Sequence, residues 1–166
     1  MDTLASILEP LSTVVIPATI GTFIAKEKFV LNTEPDAPLQ MCCLSDNFTE
    51  YFLNGVGKTE GPMSVQTLCY AKLREASMDG PIIRELGGEA KVITTLSGMF
   101  FLMGEQGHGE PGFLLNNGEE NIFYILDRLG VGRVVSVSWG NGWGICANFV
   151  NCASMWSAGE QVFYYP

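Results

Sequence analysis

Apolar positions recur most regularly in the last third of the chain, residues 113–150. Val135, Val137 and Trp139 alternate with Ser136 and Ser138, and Trp143, Ile145, Ala147 and Phe149 repeat the period of two. Successive side chains of a strand point to opposite faces, so this spacing predicts two strands, each with an apolar row. Gly140-Asn141-Gly142 between them has turn chemistry, and the two runs predict a hairpin. Upstream, Asn121-Ile122-Phe123-Tyr124-Ile125-Leu126 leads into Asp127-Arg128-Leu129-Gly130. Ile122, Ile125, Leu126 and Leu129 also fit a helical stripe, but the hairpin-like connection and the flanking strands favour a strand over residues 119–129.

The period changes elsewhere. Leu96, Met99, Phe100 and Met103 follow the i, i+3, i+4, i+7 spacing, with Thr94 or Thr95 as a cap and Gly107 as a stop, which predicts a helix over 94–106. Val65, Leu68, Cys69 and Lys72 share that spacing and predict a helix over 63–78. Asp79 is placed to cap the next short helix, with Pro81 just inside it and Gly87-Gly88 at its end. Ser45 or Asp46 caps a brief helix carrying Phe48, Tyr51, Phe52 and Leu53, and Asn54-Gly55 stops it. Residues 3–11 predict a short helix opened by Thr3 and ended by Pro10. Residues 14–16 and 23–31 predict strands, with Ala25-Lys26-Glu27-Lys28 as an alternative hairpin tip; 33–38 is a loop and 39–44 a short apolar run. These elements predict one α+β domain over residues 1–166, an antiparallel hairpin-rich sheet covered by three or four helices.

Composition narrows the partners. Eighteen acidic against nine basic residues give a net charge of −9, and the nearest approach to a basic patch is Lys26 and Lys28 around Glu27. Phosphate backbones and anionic membranes are repelled by such a surface, so neither nucleic acid nor membrane is expected as a partner. The first cation is Lys26, so no secretory signal is expected, and no apolar run is long enough to span a bilayer. Five cysteines at irregular spacings argue against a disulfide framework and for the reducing cytoplasm.

The pattern Leu114-Leu115-Asn116-Asn117-Gly118, Asn121-Ile122-Phe123-Tyr124, Asp127, Gly130, Arg133, Trp139, Trp143, Trp156 and Gln161-Val162-Phe163 resembles a group of bacterial hypothetical proteins. Asp79-Gly80-Pro81-Ile82-Ile83 and Glu85-Leu86-Gly87-Gly88-Glu89-Ala90-Lys91 are similar too, so the resemblance covers at least the C-terminal half. It implies coherence over that half and no chemistry.

His108 is the single histidine, in a glycine-rich run between Glu105 and Glu110. A histidine near neutrality beside carboxylates has the make-up of a general base or one metal ligand. Glycines hold such a group loosely, no second histidine completes a zinc pattern, and an exposed loop histidine is the expectation. Cys42 and Cys43 are neighbours, so on a strand their thiols point to opposite faces and cannot act together, and all five cysteines, with Cys69, Cys146 and Cys152, are expected to be small buried hydrophobes. Gly55-Val56-Gly57-Lys58-Thr59 has the ending of a P-loop, but Phe52 stands where its first glycine belongs. Trp143, Trp156 and Tyr164 are the candidates for an exposed aromatic binding platform, with burial in the core as the competing expectation. The function expected is that of a small non-catalytic protein acting through protein or peptide contacts or self-association, without metal or cofactor. The alternative is a hydrolase-like enzyme using His108 with Glu105 and Glu110, or a cysteine.

Overall fold

The computed structural model describes residues 5–166. Ten strands run in chain order: β1 (Leu8–Ile16), β2 (Phe23–Ile24), β3 (Met41–Leu44), β4 (Thr59–Glu60), β5 (Gln66–Leu73), β6 (Ile93–Thr94), β7 (Asn121–Leu126), β8 (Gly132–Trp139), β9 (Trp143–Phe149) and β10 (Gln161–Tyr164). Five helices are interspersed: α1 (Ala25–Lys28), α2 (Asp46–Phe48), α3 (Asp79–Leu86), α4 (Glu89–Val92) and α5 (Leu96–Glu105), with a π-helical turn at Thr49–Leu53 following α2. Seven strands pair in the order β1-β5-β10-β7-β8-β9-β3, β6 joins them as a further partner of β7, and β2 pairs separately with β4.

The expected α+β domain with an antiparallel sheet under three or four helices is corrected by this arrangement. Strands hold 34% of the described residues and helices 21%, in short pieces, so the molecule is sheet-dominated. The sheet is also mixed. β10 and β6 both run parallel to β7, and β3 runs parallel to β9. Each of these pairings joins segments far apart in the chain, where no hairpin turn marks the register.

Two helical expectations become strands. The run at 63–78 forms β5, which lies inside the sheet between β1 and β10. Leu68 faces one core while Ala71 and Leu73 face the other, so burial on both sides produced apolar spacing that matched a helix. Residues 8–16 form β1 rather than a helix ended by Pro10; Pro10 is tolerated because β1 is the outermost strand, and the register shifts between Pro10 and Ser12. The expected strand at 23–31 shortens to β2 and turns into α1. The C-terminal hairpin and the helix following Thr95 occur where the sequence predicts them, and so does α3, but Met78 is its N-cap, and Asp79, its first residue, bonds Tyr124, Trp156 and the Asn151 backbone instead of capping it. The Thr95 side chain accepts from Gly98 N, and Gly87, at φ 106°, ends α3 in a left-handed conformation.

The sheet separates two cores. On the first face α5 lays Leu96, Met99, Leu102 and Met103 over the sheet, beside Phe48 and Phe52. Phe123 and Phe163 stack across the β7–β10 seam with ring centroids 4.7 Å apart. On the second face Ile82 of α3 and Val92 of α4 cover Ala71, Ile122, Tyr124, Val134 and Val162. That cover stops short of the β8–β9–β3 end: Ser138, Gly144 and Asn148 are half-buried there, and Cys43 and Cys146 are exposed.

Candidate functional site

The His108 loop is pinned. Gln106 is buried and clamps it: its Nε2 donates to the Glu110 and Leu114 carbonyls at 2.7 and 3.0 Å, and its Oε1 accepts from Leu114 N at 2.8 Å. Gly109, at φ 73°, packs so closely on the Trp139 ring that a Cβ there would strike it. His108 itself is exposed, and its Nε2 lies 2.7 Å from the Ala37 carbonyl, which can only accept, so that nitrogen carries the proton. Glu110 accepts from the His108 backbone N at 2.9 Å and does not engage the ring. That bond, with one to the backbone N of Glu110 itself as the larger cause, holds the Glu110 carboxyl below the usual range. Glu105 is exposed at the end of α5. The ring is thus bonded to a carbonyl, with neither carboxylate orienting it.

The three aromatics do not converge. Trp143 is fully buried on the first face, its Nε1 donating to the Gln106 carbonyl at 2.8 Å. Trp156 and Tyr164 lie half-buried against the second core. Trp156 Nε1 donates to Asp79 Oδ1 at 2.7 Å, and the same oxygen accepts from Tyr124 Oη at 2.8 Å. Asp79 Oδ2 accepts from Asn151 N at 2.9 Å, so this buried carboxylate ties the 150–156 segment to the sheet. Burial, reinforced by Asp79, drives the Tyr124 hydroxyl far above its ordinary range, and it acts as a donor only.

Two features of the surface carry no sequence motif. The first is the open end of the second face. Burial raises Glu120 there against the lowering effect of the Ser136 and Ser138 hydroxyls beside it. Partial shielding of its sulfur also raises the Cys146 thiol, exposed though the residue is, and Glu120 and Cys43 push it in the same direction. The second is the β1 edge. No strand among the described residues covers its outer side, and Val15 is 59% and Leu11 45% exposed along it, with Val65 60% exposed just before its partner strand.

No family model, no curated protein and no solved structure matches the chain. A nucleophilic cysteine needs a cation or helix terminus to hold its thiolate; Cys146 instead meets the Glu120 carboxylate and the Cys43 sulfur, which oppose its ionisation. Among the described residues no three His, Cys, Asp or Glu side chains are grouped to hold a metal ion, and no helix is long and apolar enough to cross a membrane. The open face has the alternation of β8 and β9 as its sequence signal, because Ser136, Ser138, Cys146 and Asn148 are the polar or small members of those runs. The β1 edge has no such signal, since edge position is set by which strands find partners.

Proposed function

We propose that this chain is a small non-catalytic module that works through protein contacts, and that its primary contact is self-association through the β1 edge. The observation that carries this reading is the composition of that edge. Residues 12–16 read Ser-Thr-Val-Val-Ile, with no charge, and their outer side lacks a strand partner among the described residues. Sheet edges are ordinarily blunted by charge, proline or a bulge. Here Glu9, Pro10 and the register shift blunt only the first part of β1, and the second part is left as a template for main-chain hydrogen bonds. A second copy is the occupant that fits, because antiparallel pairing about a two-fold axis sets each β1 against an identical uncharged strand. Exposed Val15 and Val65 supply the accompanying apolar surface.

The net charge of −9 supports a protein rather than a nucleic acid as partner, and five free thiols support the cytoplasm as its compartment. The hydrolase-like alternative finds less support, since the His108 ring bonds a carbonyl and the Cys146 thiol is raised.

Sedimentation velocity across a concentration series tests the proposal. A concentration-dependent dimer is expected, and Val15→Lys should return it to monomer while changing fold stability by no more than about 0.5 kcal/mol, as an exposed substitution does. A chain that is monomeric throughout, or a dimer indifferent to Val15→Lys, refutes it.

A further inference from the structure

Cys42 and Cys43 do not diverge as neighbours on a regular strand would. The β3–β9 register shifts between Met41 and Cys43, and this irregularity brings the two sulfurs to 3.6 Å. They gather over a glycine: a Cβ at Gly144 would stand 2.8 Å from Cys43 Sγ and 4.0 Å from Cys42 Sγ. Cys42 Sγ is further held by the Gly142 carbonyl at 3.4 Å, and Gly142, at φ 144°, admits that approach because its own Cβ would lie 3.1 Å from Cys42 Cβ. Cys43 is exposed and Cys42 half-buried, so the pair is open to solvent on one side.

We propose that Cys42 and Cys43 form a dithiol site that chelates a trivalent arsenical through both sulfurs. The spacing selects a bent rather than a linear bridge: two sulfurs about 2.3 Å from one pyramidal centre, at an angle of about 100°, are roughly 3.5 Å apart, against about 4.6 Å for a linear bridge, and the bent value is close to the separation found. The ligand count selects among bent centres. A structural zinc ion asks for four protein donors, whereas no third metal-binding side chain joins this group among the described residues. Trivalent arsenic brings its remaining substituent with it and needs only two sulfurs. The exchange balances without redox change. Two S–H bonds and two As–OH bonds break, two S–As bonds form, and two waters leave while arsenic stays trivalent.

Phenylarsine oxide added to the full chain is the test, read by intact mass and by free-thiol titration. One equivalent should bind and lower the free-thiol count by two from the five present. The second sulfur binds as an intramolecular group, so Cys42→Ser and Cys43→Ser should each weaken binding by about 100-fold or more, while Cys69→Ser and Cys146→Ser leave it unchanged. Gly144→Ala keeps all five thiols yet sets a methyl against the Cys43 sulfur, and it should weaken binding with the circular dichroism spectrum unaltered. Binding that survives loss of either Cys42 or Cys43, or that disappears with Cys146→Ser, overturns the proposal.

Discussion

Asp79 shows how much a single side chain organises. Its two oxygens serve Tyr124, Trp156 and the Asn151 backbone, joining α3, β7 and the segment after β9 at one buried point. Asp79→Ala strands a buried hydroxyl and an indole N–H together and should lower stability by about 3 kcal/mol in chemical denaturation. Tyr124→Phe removes a donor and leaves the carboxylate its other two partners, so about 1 kcal/mol is expected. Glu120 acts with the opposite sign. Its carboxyl is raised in the folded chain by burial, so its charged form is disfavoured there relative to the unfolded chain. The stability linked to it is complete below the ordinary 4.5 and is lost as pH climbs through the raised folded value. Glu120→Gln should therefore melt higher than the parent at pH 7, with the difference vanishing in acid. A parent that melts higher at both pH values would contradict the burial of this carboxyl.

At the scale of elements, α5 depends on a residue from another strand. Glu60 of β4 is buried and accepts from Leu96 N and Ser97 N at 2.9 and 2.7 Å, while Lys58 Nζ lies 3.7 Å away. A carboxylate at a helix N-terminus satisfies orphan N–H groups and meets the favourable end of the dipole. Glu60→Ala should cost about 2–3 kcal/mol, measured by denaturant titration, because charge-assisted bonds are lost and two backbone donors are left dry. Lys58 is held low by burial, the larger effect, against the pull of Glu60 and Asp127, and its Nζ also donates to the Leu126 carbonyl. The short β2–β4 pair stands apart from the main sheet, yet it fixes where α5 begins, and so which residues of α5 enter the first core. The 106–114 loop is governed similarly by Gln106, whose amide replaces the missing backbone partners of an irregular segment.

For the whole molecule, the sheet has two different ends. The β1 end has no strand partner on its outer side among the described residues and is uncharged over residues 12–16; the β3 end carries the paired thiols and faces the acidic Glu120 region. If two copies meet through β1, each brings a charge of −9, and mutual repulsion opposes the contact at low ionic strength. Added salt screens that repulsion, with a Debye length falling from about 30 Å at 0.01 M to about 10 Å at 0.1 M. The dimer constant from sedimentation should therefore tighten as salt rises over that range. Weakening with salt would point to a contact made of ion pairs and away from this edge.

By itself the sequence determined the elements whose cause is local. The β8–β9 hairpin was legible because its runs alternate and its turn residues are distinctive. α5 was legible because Thr95 caps it, and α3 because Pro81 and Gly87 bracket it, although Asp79 is not its cap. Tertiary structure decided everything that depends on which surface covers which. β5 read as a helix because cores on both sides removed its alternation, and β1 became an edge only when β5 took the place beside it. The same holds for the sites. His108 stood out by residue type, yet its ring is turned to the Ala37 carbonyl by a loop clamped at Gln106. Cys42 and Cys43 looked divergent under strand geometry, and the irregular β3–β9 register turned their sulfurs together. Period and capping report the environment of a residue along its own segment; bulges, edges and parallel partners arise between segments distant in the chain, where local pattern carries no record of them.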